Sequence, residues 1–163
     1  MTERYSKILS NKTFNDTLNA IVKEEKNRRF CRHGMDHLVS AARIAYILSL
    51  ENKLDIEKDI IYAAALLHDL GRLAKYRTGE SHSAAGAKLS SVILSECGYS
   101  DSEISLISEA ILSHGHESPA PEKCRTLGDV LQKADTLSRL CFECEAYDEC
   151  YWDENKKNHT VIY

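Results

Sequence analysis

An uninterrupted apolar segment, residues 60–67, ends abruptly at the doublet His68-Asp69. A helix that is apolar on nearly all sides is typical of the central, most buried helix of a bundle. A histidine and a carboxylate at the end of such a helix offer a divalent metal one nitrogen and one oxygen. The segment therefore predicts an all-α fold that is built around a helix carrying metal ligands.

The composition also favours helices. The 163 residues include two prolines, Pro119 and Pro121, in one short segment, and only seven glycines. Strands and turns normally require more of both residue types. A chain of this length can bury one hydrophobic core without help from disulfide bonds. We find no internal repeat and no linker. We therefore expect a single-domain helical bundle.

Charge and hydropathy exclude several classes of function. The formal net charge of -4 argues against a general nucleic-acid binder. No apolar stretch reaches the roughly 18 residues that a membrane span needs, and the first residues lack the pattern of a secretory signal. We expect a cytoplasmic protein that acts on a small molecule, with no nucleic-acid or membrane partner. A homodimer remains an open alternative to a monomer.

Apolar residues at helical spacing predict a first amphipathic helix around residues 14–22. Five polar residues that can begin further helices follow it: Asp36, Asp55, Ser81, Asp101 and Thr126. Gly71 can end the central helix in a left-handed conformation, and the polar segment 72–81 then reads as a loop. The sequence thus predicts helices whose starts, ends and inner faces can point polar groups at one central point.

Histidines and aspartates concentrate in the same part of the chain. Six of the seven histidines lie between Arg32 and Glu117. The candidate metal ligands are His37, His68, Asp69, His82, His114, His116 and Asp135. The concentration indicates a metal centre, although a hydrogen-bonded polar cluster is the alternative, and His82 or His114 could instead be surface residues near helix ends. We interpret His33 as a helix-start residue or a support for the ligands.

His37, the doublet His68-Asp69 and Asp135, in that order on a helical chain, resemble the signature of the HD-superfamily metal-dependent phosphohydrolases. The segment 64–72 reads like the central helix of that family, and the segment 82–87 resembles the extra histidine motif of its two-metal subgroups. Within this superfamily, these motifs most resemble those of the bacterial symmetrical diadenosine-tetraphosphate hydrolases. The resemblance implies an HD-type bundle with a metal site between its central helices.

The resemblance also implies ligand roles. His37, His68, Asp69 and Asp135 would surround one metal, and Asp69 would bridge to a second metal that His82 and His114 hold, with His116 as a further ligand. One or two ions of iron, manganese, nickel or magnesium suit these donors. Such ions activate water and hold phosphate oxygens.

Two residues are assigned catalytic roles. Asp69 would align the attacking water, and Arg72 would offset charge on the phosphate. The alternative for Arg72 is a solvated loop cation. We interpret Lys75, Lys133 and Arg139 as ordinary surface charge.

The six cysteines read as reduced thiols or metal ligands rather than disulfides. The pair Cys141-x-x-Cys144 with Cys150 could bind zinc or an iron–sulfur cluster, with Cys31 or Cys124 as the fourth thiolate. The alternative is three reduced thiols on a helix end and loop.

We thus expect three parts in the chain: an N-terminal helix packing on the domain (1–30), the HD domain (31–140) and a cysteine-rich segment (141–163). The leading hypothesis is a metal-dependent phosphohydrolase acting on a nucleotide or other small phosphate ester or anhydride. The alternative is a catalytically silent ligand-binding or signalling module of the same fold, redox or metal responsive through its cysteines.

Overall fold

Eight α-helices and one short 3₁₀ turn form the secondary structure of the computed structural model, which describes residues 3–114 and 121–163. In chain order these are α1 (Tyr5–Ser10), α2 (Lys12–Glu24), α3 (Met35–Glu51), α4 (Lys58–Leu67), α5 (Arg72–Thr78), α6 (His82–Cys97), α7 (Asp101–His114), α8 (Leu127–Leu137) and the 3₁₀ turn Cys141–Glu143. Those two stretches contain no β-strand. The prediction of an all-α fold is confirmed.

Helix α4 is the centre of the bundle. Seven of its ten residues are buried, and it contacts α1, α3, α6, α7 and α8. Three consecutive alanines, Ala63, Ala64 and Ala65, let the neighbouring helices approach closely because their side chains are small. The end of α4 consequently lies deep inside the protein, and His68 and Asp69 are almost fully buried there.

The other helices pair around this centre. Helix α3 packs on α4 and α8, while α6 packs on α7, which in turn packs on α8. The two N-terminal helices cover the bundle: α1 contacts α4 and α6, and α2 contacts α5. Phe14, Leu18 and Ile21 of α2 are buried at the spacing that the sequence predicts for an amphipathic helix.

The region after α4 differs from the prediction. Gly71 has right-handed backbone angles, φ −67° and ψ −10°, so the chain does not reverse there but continues into α5. The expected loop over residues 72–81 is wrong because Leu73 and Tyr76 give this segment an apolar face that packs against the core. The left-handed residue is Gly79, with φ 77°, which ends α5.

A glycine is required at position 71 for a different reason, because the backbone of α6 packs directly against it. A Cβ atom at Gly71 would lie 1.8 Å from the carbonyl oxygen of His82 and 2.4 Å from the backbone nitrogen of Gly86. Only a residue without a side chain lets two backbones approach so closely. Gly71 therefore fixes the distance between the end of α4 and the start of α6.

The helix starts show which capping signals were informative. Thr126 caps α8 in a reciprocal arrangement with Asp129, as its position predicts. Asp36 instead lies in the first turn of α3, after Gly34, and α4 begins at Lys58 rather than beside Asp55. Within residues 3–114 and 121–163, no helix is both long and apolar enough to cross a membrane.

Candidate metal centre

Four side chains meet at the buried end of α4. His37 Nε2 lies 3.2 Å from Asp69 Oδ2 and 3.2 Å from Asp135 Oδ1, and His68 Nε2 lies 3.1 Å from Asp69 Oδ2. One ligand atom from each of the four residues lies within 4.8 Å of the other three. Helices α3, α4 and α8, which pack on one another, bring these residues together.

The two histidines of this group are held by their Nδ1 nitrogens. His68 Nδ1 lies 2.7 Å from the carbonyl oxygen of Ala65, which can only accept a hydrogen bond. His37 Nδ1 lies 3.0 Å from Ser138 Oγ, and the Ser138 hydroxyl donates to the carbonyl oxygen of Asp135. Both Nδ1 atoms therefore act as donors, which leaves the Nε2 lone pairs directed at the carboxylates. This is the tautomer that metal-binding histidines use.

A second group lies next to the first and shares Asp69 with it. Ligand atoms of Asp69, His82 and His114 also lie within 4.8 Å of one another. His114, the last residue of α7, is anchored through Nδ1, 2.5 Å from the carbonyl oxygen of Ile111. The imidazole ring of His114 lies between those of His68 and His82, with centroid distances of 5.1 and 5.4 Å. The two ligand sets are thus continuous around one carboxylate.

The described residues of this centre fit divalent metal ions. His114 Nε2 is buried and has no hydrogen-bond partner among residues 3–114 and 121–163, and His68 Nε2 faces the carboxylates of Asp69 and Asp135 at 3.1 and 3.7 Å. A buried polar atom without a partner costs about 1–3 kcal/mol, and a coordinated cation would satisfy each lone pair. Imidazole and carboxylate donors together suit iron, manganese and other first-row divalent metals.

Electrostatics favour positive charge at this place. Burial would raise the pKa of Asp69, but His68 and Arg72 hold it well below its usual range. Burial would likewise raise the pKa of Asp135, and His37 and His68 hold it well below its usual range. Burial would lower the pKa of His68, yet the two carboxylates raise it to about 10. Two ionised aspartates therefore attract a cation to His68 Nε2, either a proton or a metal ion.

Arg72 lies against the shared carboxylate. Its Nε donates a 2.6 Å hydrogen bond to Asp69 Oδ1, while Asp69 Oδ2 faces the histidines. The side chain of Arg72 is 17% exposed, so the alternative of a solvated loop cation is wrong. Helix α5 begins at Arg72 and places its guanidinium there because Arg72 follows Asp69 by three residues.

Arg139 was predicted as surface charge, and that prediction is wrong. The residue is buried, and its Nη2 lies 3.0 Å from His37 Nε2, 3.1 Å from Asp135 Oδ1 and 4.0 Å from Asp69 Oδ2. Arg139 therefore contacts the first ligand group directly. Arg139 follows the last residue of α8 by two positions, and the turn there brings its guanidinium back to Asp135, four residues earlier.

His33 is buried beside the centre but belongs to neither ligand group. Its backbone nitrogen and its Nδ1 lie 2.7 and 2.5 Å from the two carboxylate oxygens of Glu25, which also accepts a hydrogen bond from Tyr76. Burial lowers the pKa of His33 to about 4. Burial would raise the pKa of Glu25, but His33 and Tyr76 lower it to about 2. Glu25 therefore links the end of α2, the segment before α3, and α5.

The structure thus brings together six of the seven predicted ligands: His37, His68, Asp69, His82, His114 and Asp135. His116 lies outside the described residues, and its ligand role stays a prediction. Glu25, Ser138 and Arg139 contact residues of the centre or residues beside it, and they were not predicted as parts of the site. Each of them acts through a contact with a residue that is distant in the sequence or through the turn after α8.

Comparisons with known proteins agree with this geometry. A family model described as the HD domain matches residues 34–140. An uncharacterized protein of Clostridium beijerinckii is 36% identical over 161 residues, which cover 99% of each chain. The Bacillus subtilis protein YueE, whose description as a phosphohydrolase is itself a prediction, is 34% identical over 119 residues. These residues cover 65% of this chain and 66% of YueE.

A solved structure resembles the fold as well. The crystal structure of a predicted HD superfamily hydrolase from an uncultured Thermotogales bacterium matches with a TM-score of 0.61 and 26% sequence identity. The match covers 88% of this chain and 80% of that chain. The fold and the histidine–aspartate site define an all-helical hydrolase with ligands for divalent metal. The family match spans more than half of the residues, and this chain belongs to the HD domain family.

Proposed function

We propose that the chain is a metal-dependent phosphohydrolase that acts on a nucleotide or another small phosphate ester or anhydride. The observation that carries the proposal is the pair of ligand groups that share Asp69. In phosphatases and nucleases, two ions about 3.5–4 Å apart act together on one phosphate group. The similarity to YueE, which is described as a phosphohydrolase, supports the same class of substrate.

Each ligand has a distinct place in this proposal. His37, His68 and Asp135 would hold the first ion, His82 and His114 would hold the second, and Asp69 would contact both. His116 is proposed as an additional ligand. When bound, such ions supply an activated water at neutral pH and positive charge for the phosphate oxygens.

Asp69 positions the reacting groups because its own carboxylate is held from both sides. Arg72 fixes Oδ1, and Oδ2 faces His37 and His68. A carboxylate that is buried, ionised and constrained in this way cannot rotate freely, so the water beside it would keep a constant orientation.

Arg72 is proposed as the group that neutralises the substrate. A guanidinium has five N–H donors, of which Nε is bonded to Asp69, and the terminal nitrogens would contact phosphate oxygens. Burial would lower the pKa of Arg72, but Asp69 raises it, so the side chain stays charged. A fixed positive charge stabilises the charge that develops on phosphate during transfer.

The primary test is the loss of function in Asp69→Ala. The purified protein is loaded with Mn²⁺ or Fe²⁺ and assayed on bis-p-nitrophenyl phosphate and on a nucleotide panel. The panel includes a dinucleoside tetraphosphate, which is the substrate type that the sequence resemblance implies. We expect Asp69→Ala to lose both tight metal binding and turnover, because both ligand groups contain this carboxylate.

Asp55→Ala is the matched control, since Asp55 is an exposed aspartate that precedes the same central helix. It should keep wild-type metal content and activity. Circular dichroism establishes that both variants are folded. Full activity in Asp69→Ala would refute the assignment, and metal binding without turnover on any phosphate substrate would favour the silent ligand-binding module.

A further inference from the structure

A second cluster of metal-ligating side chains lies beside the histidine centre. A cavity of about 300 Å³ is lined by His37 and Arg139 and by cysteines from two distant parts of the chain. These cysteines are Cys31, Cys141, Cys144 and Cys150. All four are free thiols. The remaining cysteines, Cys97 and Cys124, are buried in the hydrophobic core instead.

The backbone around the cavity is held by one local and several long-range hydrogen bonds. Arg139 Nη1 donates to the carbonyl oxygen of Arg32, and Arg28 Nε donates to that of Cys31, so the segment before α3 is fixed against the end of α8. Asn158 donates to the carbonyl oxygens of Thr136 and Arg139, which anchors the C-terminal segment. The four thiols therefore face one cavity as part of the folded architecture.

The spacing of the sulfurs distinguishes between kinds of metal group. A tetrahedral zinc ion with bonds of about 2.3 Å places its sulfurs only about 3.8 Å apart. Among the described residues, the groups with three or more ligand atoms within 4.8 Å of one another are the two at the histidine centre. The four cysteines are not such a group. They line one cavity without any three of their sulfurs lying within 4.8 Å of one another, which suits a cubane cluster, whose cysteine sulfurs lie further apart than those around a single zinc ion.

Charge and hydrogen bonding at the cavity also suit an anionic cluster. Four thiolates around a doubly positive four-iron core leave a net charge of about −2. Three cationic side chains, Arg32, Arg139 and Lys157, and one carboxylate, Asp36, line the same cavity, so cations are in excess there. Arg139 and Lys157 are buried, and the Nε–H donor of Arg139 has no hydrogen-bond partner within the part of the chain that the structure describes. A cluster sulfide or a coordinated cysteine sulfur could accept that hydrogen bond.

Aromatic side chains form part of the cavity wall. Phe30, Tyr147 and Trp152 line its wall together with the cysteines. Apolar surroundings of this kind stabilise iron–sulfur clusters and tune their reduction potential.

We propose that Cys31, Cys141, Cys144 and Cys150 bind a [4Fe–4S] cluster. Four S–H protons are released to solvent as four Fe–S bonds form, and no electron is transferred when the cluster is inserted in its doubly positive state. The structure selects Cys31 over Cys124 as the fourth ligand, because Cys124 lies in the hydrophobic core. The cluster would lie next to the histidine centre, since both sites contact His37 and Arg139.

The test measures iron, acid-labile sulfide and the absorption spectrum of protein that is reconstituted anaerobically with sulfide and with equal amounts of Fe²⁺ and Fe³⁺, which together have the oxidation state of the doubly positive core. Asp69→Ala serves as the background, because it removes iron binding at the histidine centre. We expect four irons and four sulfides per chain, with a broad absorption band near roughly 400 nm that weakens on reduction. The sulfide count does not depend on hydrolase activity, so this test and that of the proposed function can fail separately.

Cysteine variants identify the ligands. Cys31→Ser and Cys144→Ser should lose most of the sulfide and the absorption band while keeping wild-type helical content by circular dichroism. Cys97→Ala and Cys124→Ala, the matched controls, should retain both. The proposal is overturned by one zinc per chain without sulfide, by two irons with two sulfides, by the absence of any sulfide, or by a cluster that persists in Cys31→Ser.

Discussion

The distance between the backbones of α5 and α6 should determine whether a second metal ion can bind. Replacing Gly71 with alanine adds one methyl group where the chain leaves α4. Its carbon would lie 1.8 Å from the carbonyl oxygen of His82, 2.8 Å from the carbonyl carbon of His82 and 2.4 Å from the nitrogen of Gly86. All three atoms belong to the backbone of α6, so no side-chain rotation can remove the overlap.

The displacement that follows is large for a metal ligand. A carbon and an oxygen in contact lie roughly 3.3 Å apart, so Gly71 and the start of α6 must separate by about 1.5 Å. Metal–ligand distances tolerate errors of only about 0.2 Å. His82 is the first residue of α6 and would leave the second ligand group, whereas the first group, on α3, α4 and α8, does not involve α6.

Two measurements check this prediction. Calorimetric titration with Mn²⁺ should count two ions per chain in the wild type and one in Gly71→Ala. Urea unfolding without metal should show that the free energy of unfolding falls by about 1–3 kcal/mol, the usual cost of an overpacked contact.

Gly86→Ala is the matched control, because it adds a methyl group to the same helix contact from the other side. Its nearest neighbours would be the backbone nitrogen of Gly71 at 3.4 Å and the carbonyl oxygen of His68 at 3.5 Å, which are ordinary contacts. It should bind two ions. The reasoning is refuted if Gly71→Ala keeps two ions and its stability, or if Gly86→Ala loses the second ion as well.

Three further predictions concern the surroundings of the centre. Thr126→Ala should lower the free energy of unfolding by about 1 kcal/mol in urea titrations, because it removes the cap of α8. Acidification should destabilise the protein in two pH ranges. Between pH 6.5 and 4, His33 takes up a proton in the unfolded chain but not in the folded protein, and between pH 4.5 and 2 the same is true of Glu25. The His33 contribution is at most on the order of 3 kcal/mol, and the slope of stability between pH 6.5 and 4 should shrink in His33→Asn. Arg139→Met should tighten Mn²⁺ binding by roughly tenfold in calorimetry, because Arg139 donates a hydrogen bond to His37 Nε2 and contacts Asp135, and so competes with a metal ion for both ligands. Weaker Mn²⁺ binding in the variant would contradict this competition.

The parts of the fold that depend on local pattern could be predicted from the sequence. The apolar run before His68 identified the central helix, and the spacing of Phe14, Leu18 and Ile21 identified α2. Thr126 was correctly placed at the start of α8. In each case the determining interactions lie within one or two helical turns, where periodicity and capping carry the information.

Gly71 shows where local reasoning fails. A glycine after a helix is most simply explained by a left-handed backbone, since that conformation is a property of the residue itself. Its actual role is to let the backbones of His82 and Gly86 approach, and those residues lie 11 and 15 positions further along the chain. The same error led to the prediction of a loop in place of α5. A chain that reversed its direction at Gly71 would leave Leu73 and Tyr76 without a core to pack against.

Arg139 illustrates the same limit at the site, where it lies between the histidine centre and the cysteine cavity. From the sequence alone it is one cation among 21 lysines and arginines. In the fold it contacts His37 and Asp135 on one side and lines the cysteine cavity on the other. The cluster that we propose in this cavity and the two ionised aspartates of the histidine centre would repel each other at short range, and the buried guanidinium between them would lower that repulsion. A local sequence pattern does not reveal this position, because the partners of Arg139 in Arg32 and His37 lie about 100 residues earlier in the chain.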